Sequence, residues 1–194
     1  EKDKMEKKII RLKEVDSTNR FLKELSSYDE TALTIAVADF QTAGRGQGTH
    51  TWESEEGKNL LFSMLACPVW VPVRQQFLLS EVGALAIKDA LDSYADGFTL
   101  KWPNDVYWND RKISGTLIET SIDSRGIKRC IFGIGININQ MEFRSDAPNP
   151  VSLAQILGHE VDREEVLQKV IEAFCRYYEL LRRAGYMDVS GIYH

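Results

Sequence analysis

The sequence predicts one α+β domain built around a mixed β-sheet with helices packed on it. Apolar, β-branched segments recur along the chain, among them Leu33–Phe40, Asn59–Ala66 and Lys128–Ile138, and each is typical of a largely buried strand. Two long segments, Val73–Tyr94 and Glu164–Arg183, have the apolar spacing of helices. Strands that cluster with helices outside them favour this architecture, and a chain of 194 residues is long enough to bury about 70% of its unfolded surface.

The other elements follow from similar patterns. In chain order they are the strand Ile9–Val15, a short helix carrying Phe21, Leu22 and Leu25, the strands Phe98–Trp102, Val106–Trp108 and Lys112–Ile122, and a short helix from Ser152 to Gly158. Asp16 or Ser17 would cap the first helix, because a side-chain oxygen there can accept from the free amides of the first turn. Asn109–Asp110 is typical of a tight turn and predicts a hairpin.

Composition argues against several functional classes. The net charge of −5 disfavours broad nucleic-acid binding, which needs a clustered cationic surface. The cysteines form no CxxC pair and the histidines have no ligand-like spacing, so we expect no structural metal and reduced cysteines in the cytoplasm. No apolar run approaches the roughly 20 residues of a membrane span, and the charged N-terminus is unlike a signal peptide.

The most informative stretch is Gln41–Trp52, which follows a predicted strand and contains a dense group of glycines. Gly44, Gly46 and Gly48 surround Arg45, so backbone N–H groups and a guanidinium can approach a carboxylate or phosphate. This pattern predicts a loop for an anionic small molecule. The alternative is an ordinary glycine-rich turn between two strands.

A second unusual group lies around the predicted hairpin. Lys101, Asn104 and Asp105 precede it and Lys112 follows its turn. Two cations beside an amide and a carboxylate could form part of a site. A solvated salt bridge is the alternative interpretation.

Four segments in this order resemble the biotin protein ligases. They are DSTN at residues 16–19, QTAGRG at 41–46, KWPND with the following RKISGTLIE within 101–119, and GIGININ at 133–139. The resemblance implies a fold similar to that of class II aminoacyl-tRNA synthetases. It also implies that biotin reacts with ATP, accompanied by Mg²⁺, to give biotinyl-5′-adenylate. The biotinyl group then passes to a lysine of a biotin carboxyl carrier protein domain.

The resemblance assigns roles to individual residues. Arg45 and Lys112, helped by Lys101, would offset the repulsion between biotin's carboxylate and the α-phosphate, and Asp105 would take the proton from the acceptor lysine. The residues implied to bind biotin are Ser17, Thr18, Gln41, Gly44, Arg45, Lys112, Gly115, Leu117 and Gly133. Those implied to bind ATP are Arg45, Gln47, Trp52, Lys101, Asn104 and Asn137. Trp52 would cover the adenine once the glycine loop closes, and the metal ligands stay unassigned.

The chain departs from the family pattern in three places. Gln47 replaces a second arginine, which predicts weaker retention of the adenylate. Residues 1–16 are too short for a helix-turn-helix, so we expect no DNA binding. Residues 1–194 correspond to a single catalytic domain, without the SH3-like domain that the family usually adds, and we expect a trimmed chain.

Two other functions stay open from the sequence. One is a lipoate or octanoate ligase or transferase, and the other is a non-catalytic sensor of biotin or nucleotide. The KWPND, RKISG and GRG segments favour biotin, and the presence of both Lys112 and Asp105 favours catalysis. Exposed strand edges leave a homodimer open.

Overall fold

The computed structural model describes residues 4–46, 52–144, 149–184 and 192–193 of the chain. In order, the elements are β1 (Lys7–Val15), α1 (Thr18–Lys23), β2 (Leu33–Gln41), β3 (Leu60–Ala66), α2 (Phe77–Asp92), β4 (Phe98–Lys101), β5 (Asp105–Trp108), β6 (Arg111–Asp123), β7 (Gly126–Ile136), α3 (Leu153–Leu157) and α4 (Arg163–Ala184). The predicted helix Val73–Tyr94 is divided in the structure. A 3₁₀ turn at Val73–Gln75 follows Pro72, and α2 starts only at Phe77.

The strands form a seven-stranded sheet in the order β1-β2-β3-β7-β6-β5-β4. β1 and β2 are parallel, whereas the pairs β2–β3, β4–β5 and β5–β6 are antiparallel. The parallel pair needs a crossover connection, and α1 lies within it. The predicted mixed sheet with helices is therefore confirmed.

The described chain divides into two compact units. The first comprises Glu1–Gln75 and Leu117–Gly135. Within it α1 packs on β2 and β3, and the fully buried side chains of Leu22, Ala36 and Leu65 form the centre of that contact. This packing fixes the N-terminal end of α1 beside the end of β2.

The second unit comprises Gln76–Thr116 and Ile136–His194. Its two long helices, α2 and α4, pack against each other, and α2 also contacts β4 and β5. Tyr94, just beyond α2, donates a 2.6 Å hydrogen bond to Glu165 of α4. The helices thereby support the antiparallel strands β4 and β5.

Candidate functional site

The first group of polar residues lies at the start of α1, in the first unit. Ser17 caps the helix, because its extended backbone (φ −156°, ψ 136°) lets the side-chain oxygen accept from the Arg20 amide. Asp16 accepts from the Ser17 amide at 2.7 Å. The capping predicted for DSTN is therefore present, and Ser17 is its N-cap.

A continuous set of side chains runs from this cap into the sheet; we call Gln41, Thr18, Ser63, Asn19 and Glu119 the polar network. Gln41 Oε1 accepts from the Thr18 amide at 2.8 Å and lies 3.0 Å from Thr18 Oγ1. Thr18 Oγ1 lies 2.6 Å from Ser63 Oγ, which donates to Asn19 Oδ1. Asn19 Nδ2 donates to Glu119 Oε1 at 2.9 Å. Thr18, Ser63 and Asn19 are at most 4% exposed, so these groups depend on one another for hydrogen bonds.

Glu119 of β6 joins the network to two cations. Arg45 Nη2 lies 2.8 Å from Glu119 Oε1, and the Lys23 ammonium pairs with Oε2. Desolvation by burial raises the pKa of Glu119, but hydrogen bonds from Lys23 and Asn19, with the charges of Lys23 and Arg45, outweigh it and leave the pKa lowered. Glu119 is therefore an ionised, acceptor-only carboxylate at neutral pH.

Two glycines of β7 allow side chains to lie directly on the strand. A Cβ placed on Gly133 would be 2.8 Å from Cγ of Asn19, and one on Gly135 would be 2.6 Å from Nε1 of Trp52. Alternate residues of a strand share a face, so Asn19 and Trp52 cover the same side of β7. Trp52 is also joined to the glycine loop, because its amide donates to the Gly44 carbonyl at 3.2 Å.

This packing predicts a cost for Gly133→Ala. The added methyl group would overlap the Asn19 amide, which is held by Ser63 and Glu119, so we expect a loss of about 1–3 kcal/mol in the free energy of unfolding. Urea unfolding of the wild type, Gly133→Ala, Asn19→Ala and the double variant measures it. In the Asn19→Ala background the alanine should cost little; an equal cost in both backgrounds would show that Asn19 is not what it displaces.

The second group, in the second unit, is built on β4, β5 and β6; we call Lys101, Asp105, Tyr107 and Lys112 the lysine cluster. The cross-strand pairs are Lys101 with Asp105 and Tyr107 with Lys112. Between Val106–Ser114 and Tyr107–Lys112 the register shifts by one residue, a β-bulge with Ile113 as the additional residue. The pairing next to the turn sets Lys112 on the same face as Asp105 and Tyr107, and the bulge shifts the register of β6 from Ser114 onward.

The geometry of the lysine cluster follows from this shared face. Lys112 Nζ lies 3.1 Å from Asp105 Oδ2, and Lys101 Nζ lies 4.6 Å from the centre of the Tyr107 ring. Burial and the nearby charge of Asp105 raise the pKa of Tyr107. The salt bridge considered as an alternative from the sequence is thus present, with the Lys112 side chain only 19% exposed. The chain around Pro150 fixes the backbone here, since the Lys112 amide donates to the Asn149 carbonyl at 3.1 Å.

Buried acceptor atoms lie in the same unit. Among the described residues, Asn104 Oδ1, Thr116 Oγ1 and Asn137 Oδ1 are buried without a hydrogen-bond partner. The Asn137 side chain is held in place, because its Nδ2 donates to the Val151 carbonyl at 3.1 Å. A buried acceptor without a partner is costly, so these oxygens suit a ligand with N–H donors or a cation.

The structure therefore brings the sequence-predicted residues into two groups. The first unit holds Ser17, Thr18, Gln41, Gly44, Arg45, Trp52, Leu117 and Gly133; the second holds Lys101, Asn104, Asp105, Lys112, Gly115 and Asn137. Gln47 and the central part of the glycine loop, residues 47–51, lie outside the described residues. The predictions of weak adenylate retention and of loop closure are therefore untested.

Sequence reasoning assigned no individual site role to several members of these groups, namely Asn19, Ser63, Tyr107, Thr116 and Glu119, although Asn19 and Glu119 lie within the DSTN and RKISGTLIE segments. A signal existed for two of them. Ser63 is the one polar residue of the strand Leu60–Ala66, and Glu119 alternates with Gly115 and Leu117 on β6. Both patterns indicate a polar side chain directed toward a buried surface.

Comparison with known proteins identifies the family. The model of the Biotin/lipoate A/B protein ligase family matches residues 12–137, more than half of the chain. The chain belongs to this family. A biotin–[acetyl-CoA-carboxylase] ligase of Paracoccus denitrificans is 33% identical over 93% of this chain and 77% of its own length. The resemblance to biotin protein ligases stated from the sequence is therefore confirmed.

Other relatives in the ligase family are longer. The bifunctional ligase/repressor BirA of Bacillus subtilis is 31% identical over 91% of this chain but only 55% of its own length. The chain thus spans about half the length of these relatives. The structure of biotin protein ligase from Aquifex aeolicus in complex with biotin and ATP matches with a TM-score of 0.83 and 36% identity, over 96% of this chain and 76% of that one.

The described residues contain no group of three or more His, Cys, Asp or Glu side chains arranged to hold a metal ion. Of the helices in the described ranges, none combines the length and apolar character that a bilayer crossing requires.

Proposed function

We propose that this member of the ligase family activates biotin with ATP, forming biotinyl-5′-adenylate and pyrophosphate. It then transfers biotin to a lysine of a biotin carboxyl carrier protein domain. The observation that carries the proposal is the polar network of the first unit. Thr18 is buried and Gln41 is half-buried, and the network that joins them ends at Glu119, the partner of Arg45 in the glycine loop.

The chemistry of this network favours biotin over the rival acids. Biotin has a ureido ring with both N–H donors and a carbonyl acceptor. The lipoyl dithiolane and the octanoyl tail have neither, so they could not hydrogen-bond the groups of the network that face the ligand, at a cost of about 1–3 kcal/mol for each group left without a partner. A site of this polarity therefore rejects an apolar acid.

Charge is the second requirement, since a carboxylate must approach an anionic α-phosphate. We assign Arg45, Lys101 and Lys112 to offset this repulsion. Without ligand, Arg45 pairs with Glu119 and Lys112 with Asp105, so each cation is held in place by a carboxylate. When Lys112 turns to phosphate, Asp105 is released and becomes the proposed acceptor for the proton of the incoming lysine.

The nucleotide is assigned to Asn104, Asn137 and Trp52. The unpartnered oxygens of Asn104 and Asn137 suit either N–H donors of the nucleotide or Mg²⁺, which prefers oxygen ligands. Because the described residues offer no cluster of carboxylates for a metal, we propose that Mg²⁺ arrives with the ATP phosphates. It would supply charge neutralisation there. Gly115, Leu117 and Gly133 remain the proposed apolar wall for biotin.

We also propose a protein partner and a cellular location for this protein. The protein partner is the carrier domain, and we propose a cytoplasmic location because none of the three cysteines forms a disulfide. A homodimer through a sheet edge stays a prediction, with β1 and β4 as the two edge strands. The absence of DNA binding also stays a prediction.

The test is to incubate the protein with ATP, Mg²⁺ and one acid at a time: biotin, lipoate or octanoate. Mass spectrometry should detect an acyl-adenylate with biotin only. An adenylate formed from lipoate or octanoate instead would replace this proposal by the rival activity. Biotin binding with no adenylate would indicate a sensor.

A further inference from the structure

We infer that Glu119 is a specificity-determining residue, which acts through Asn19 and Ser63 to make the Thr18 hydroxyl an acceptor toward the ligand. The inference rests on the proposed function and deepens it, because it explains how the site would recognise an N–H group of the ureido ring. Glu119 is a positioning residue in this role, since it acts through its neighbours.

Glu119 fixes the orientation of the Asn19 side-chain amide. A carboxylate only accepts hydrogen bonds, so the Asn19 atom that faces Glu119 at 2.9 Å must be Nδ2. The Leu117 carbonyl, 3.4 Å from the same nitrogen, favours the same orientation. Asn19 Oδ1 must then face Ser63, and it can only accept there.

The network has fewer hydroxyl protons than oxygen–oxygen contacts. Three close oxygen–oxygen contacts join Gln41, Thr18, Ser63 and Asn19, but only the two hydroxyl groups carry a proton. Because Asn19 Oδ1 has no proton to give, Ser63 donates to it. Thr18 then donates its proton to Ser63 at 2.6 Å. The contact left without a proton is the longest, 3.0 Å from Thr18 to Gln41, whose oxygen already accepts from the Thr18 amide at 2.8 Å.

The consequence is a fixed polarity at the ligand side of the network. The side-chain donors of Thr18, Ser63 and Asn19 all point along the network toward Glu119. Thr18 Oγ1 therefore donates its only proton within the network and offers a lone pair to the ligand. The side-chain oxygen of Gln41 is turned to the Thr18 amide, which leaves the Gln41 amide nitrogen as a donor. An acceptor beside a donor matches the N–H and carbonyl of a urea.

Replacing the carboxylate removes the constraint. The amide of Glu119→Gln can donate as well as accept, so Asn19 can turn over and Ser63 can donate to Thr18. The Thr18 proton is then no longer held by Ser63 and can turn either to Gln41 Oε1, 3.0 Å away, or to the ligand. Ser63→Ala interrupts the same path one step earlier. Both variants should therefore tolerate a ligand that has an acceptor where biotin has N–H.

The experiment compares biotin with its two cyclic carbamate analogues, in which one or the other ring N–H is replaced by oxygen. Calorimetry without ATP gives Kd for each ligand with the wild type, Glu119→Gln, Ser63→Ala and Lys23→Gln. The wild type should bind at least one analogue about ten- to a hundredfold more weakly than biotin. In Glu119→Gln and in Ser63→Ala this preference should fall by about tenfold.

Lys23→Gln is the matched control, because Lys23 pairs with Glu119 but is no part of the hydrogen-bonded path. It should keep the wild-type preference. The inference is wrong if Glu119→Gln and Ser63→Ala, both folded by circular dichroism, keep it too, or if the wild type has no preference. If Glu119→Gln does not fold, Ser63→Ala alone decides. A wild type that does not bind biotin would refute the proposed function itself.

Discussion

Replacing Lys112 by alanine should lower the rate of biotinyl-adenylate formation by a factor on the order of 10²–10³. Lys112 is assigned to offset charge where a carboxylate meets a phosphate, and its ammonium is one of the two cations of the lysine cluster. The backbone of Lys112 stays fixed by its hydrogen bonds to the segment at Asn149–Val151. The fold should therefore survive. Biotin-dependent exchange between ATP and pyrophosphate measures the rate.

Lys88→Ala is the control for this prediction. Lys88 is also a half-buried lysine of the second unit, and it pairs with Asp92 at 2.6 Å on the surface of α2. Its loss should leave exchange unchanged. If Lys112→Ala catalyses ATP–pyrophosphate exchange at the wild-type rate, Lys112 takes no part in the reaction and only forms the salt bridge with Asp105.

Replacing Arg45 by alanine should lower kcat/KM for biotin by about 10- to 100-fold, because a charge-assisted hydrogen bond contributes roughly 1.5–3 kcal/mol. Glu119, its partner in the ligand-free protein, keeps Lys23 and Asn19, so the polar network should persist. Arg45→Lys should recover only part of the loss, since a lysine cannot bind a carboxylate or phosphate bidentately. Steady-state kinetics at varied biotin gives the ratio.

Arg20→Ala controls for the loss of a cation near α1. Arg20 is exposed and forms surface ion pairs with Asp16 at 3.1 Å and Glu24 at 3.0 Å, contacts that contribute little to stability because solvent screens them. It should behave like the wild type. An Arg45→Ala variant as active as Arg20→Ala would mean that the glycine loop does not use its guanidinium on the substrate.

The sequence predicted the strands well, because their apolar and β-branched composition is a local property. Leu33–Phe40 and Asn59–Ala66 correspond to β2 and β3 within one residue at either end. The start of α2 was misplaced by four residues, because the apolar spacing continues through Val73–Gln75 although Pro72 precedes a 3₁₀ turn there. Hydrophobic periodicity indicates which face of a segment is apolar, but it does not distinguish a 3₁₀ turn from the first turn of an α-helix.

The site was predictable where a motif carried it and not where the sheet created it. Thr18 and Gln41 belong to recognisable segments, and the structure joins them by hydrogen bonds. The partnership of Asn19 with Glu119 spans 100 residues, and no local pattern indicates it. The bulge at Ile113 is similar: the predicted turn pairs Tyr107 with Lys112, and strict alternation would then place Ser114 on the same face, whereas the register shift pairs Ser114 with Val106 on the opposite face.

The most direct test of the proposed activity is transfer of biotin to a purified biotin carboxyl carrier protein domain. The protein is mixed with ATP, Mg²⁺, biotin and the domain, and the intact mass of the domain is followed over time beside a variant that has arginine at the acceptor lysine. We expect one biotinyl group on the domain, dependent on ATP, and none on the arginine variant. An unmodified domain, or one that carries lipoate when both acids are supplied, would contradict the account.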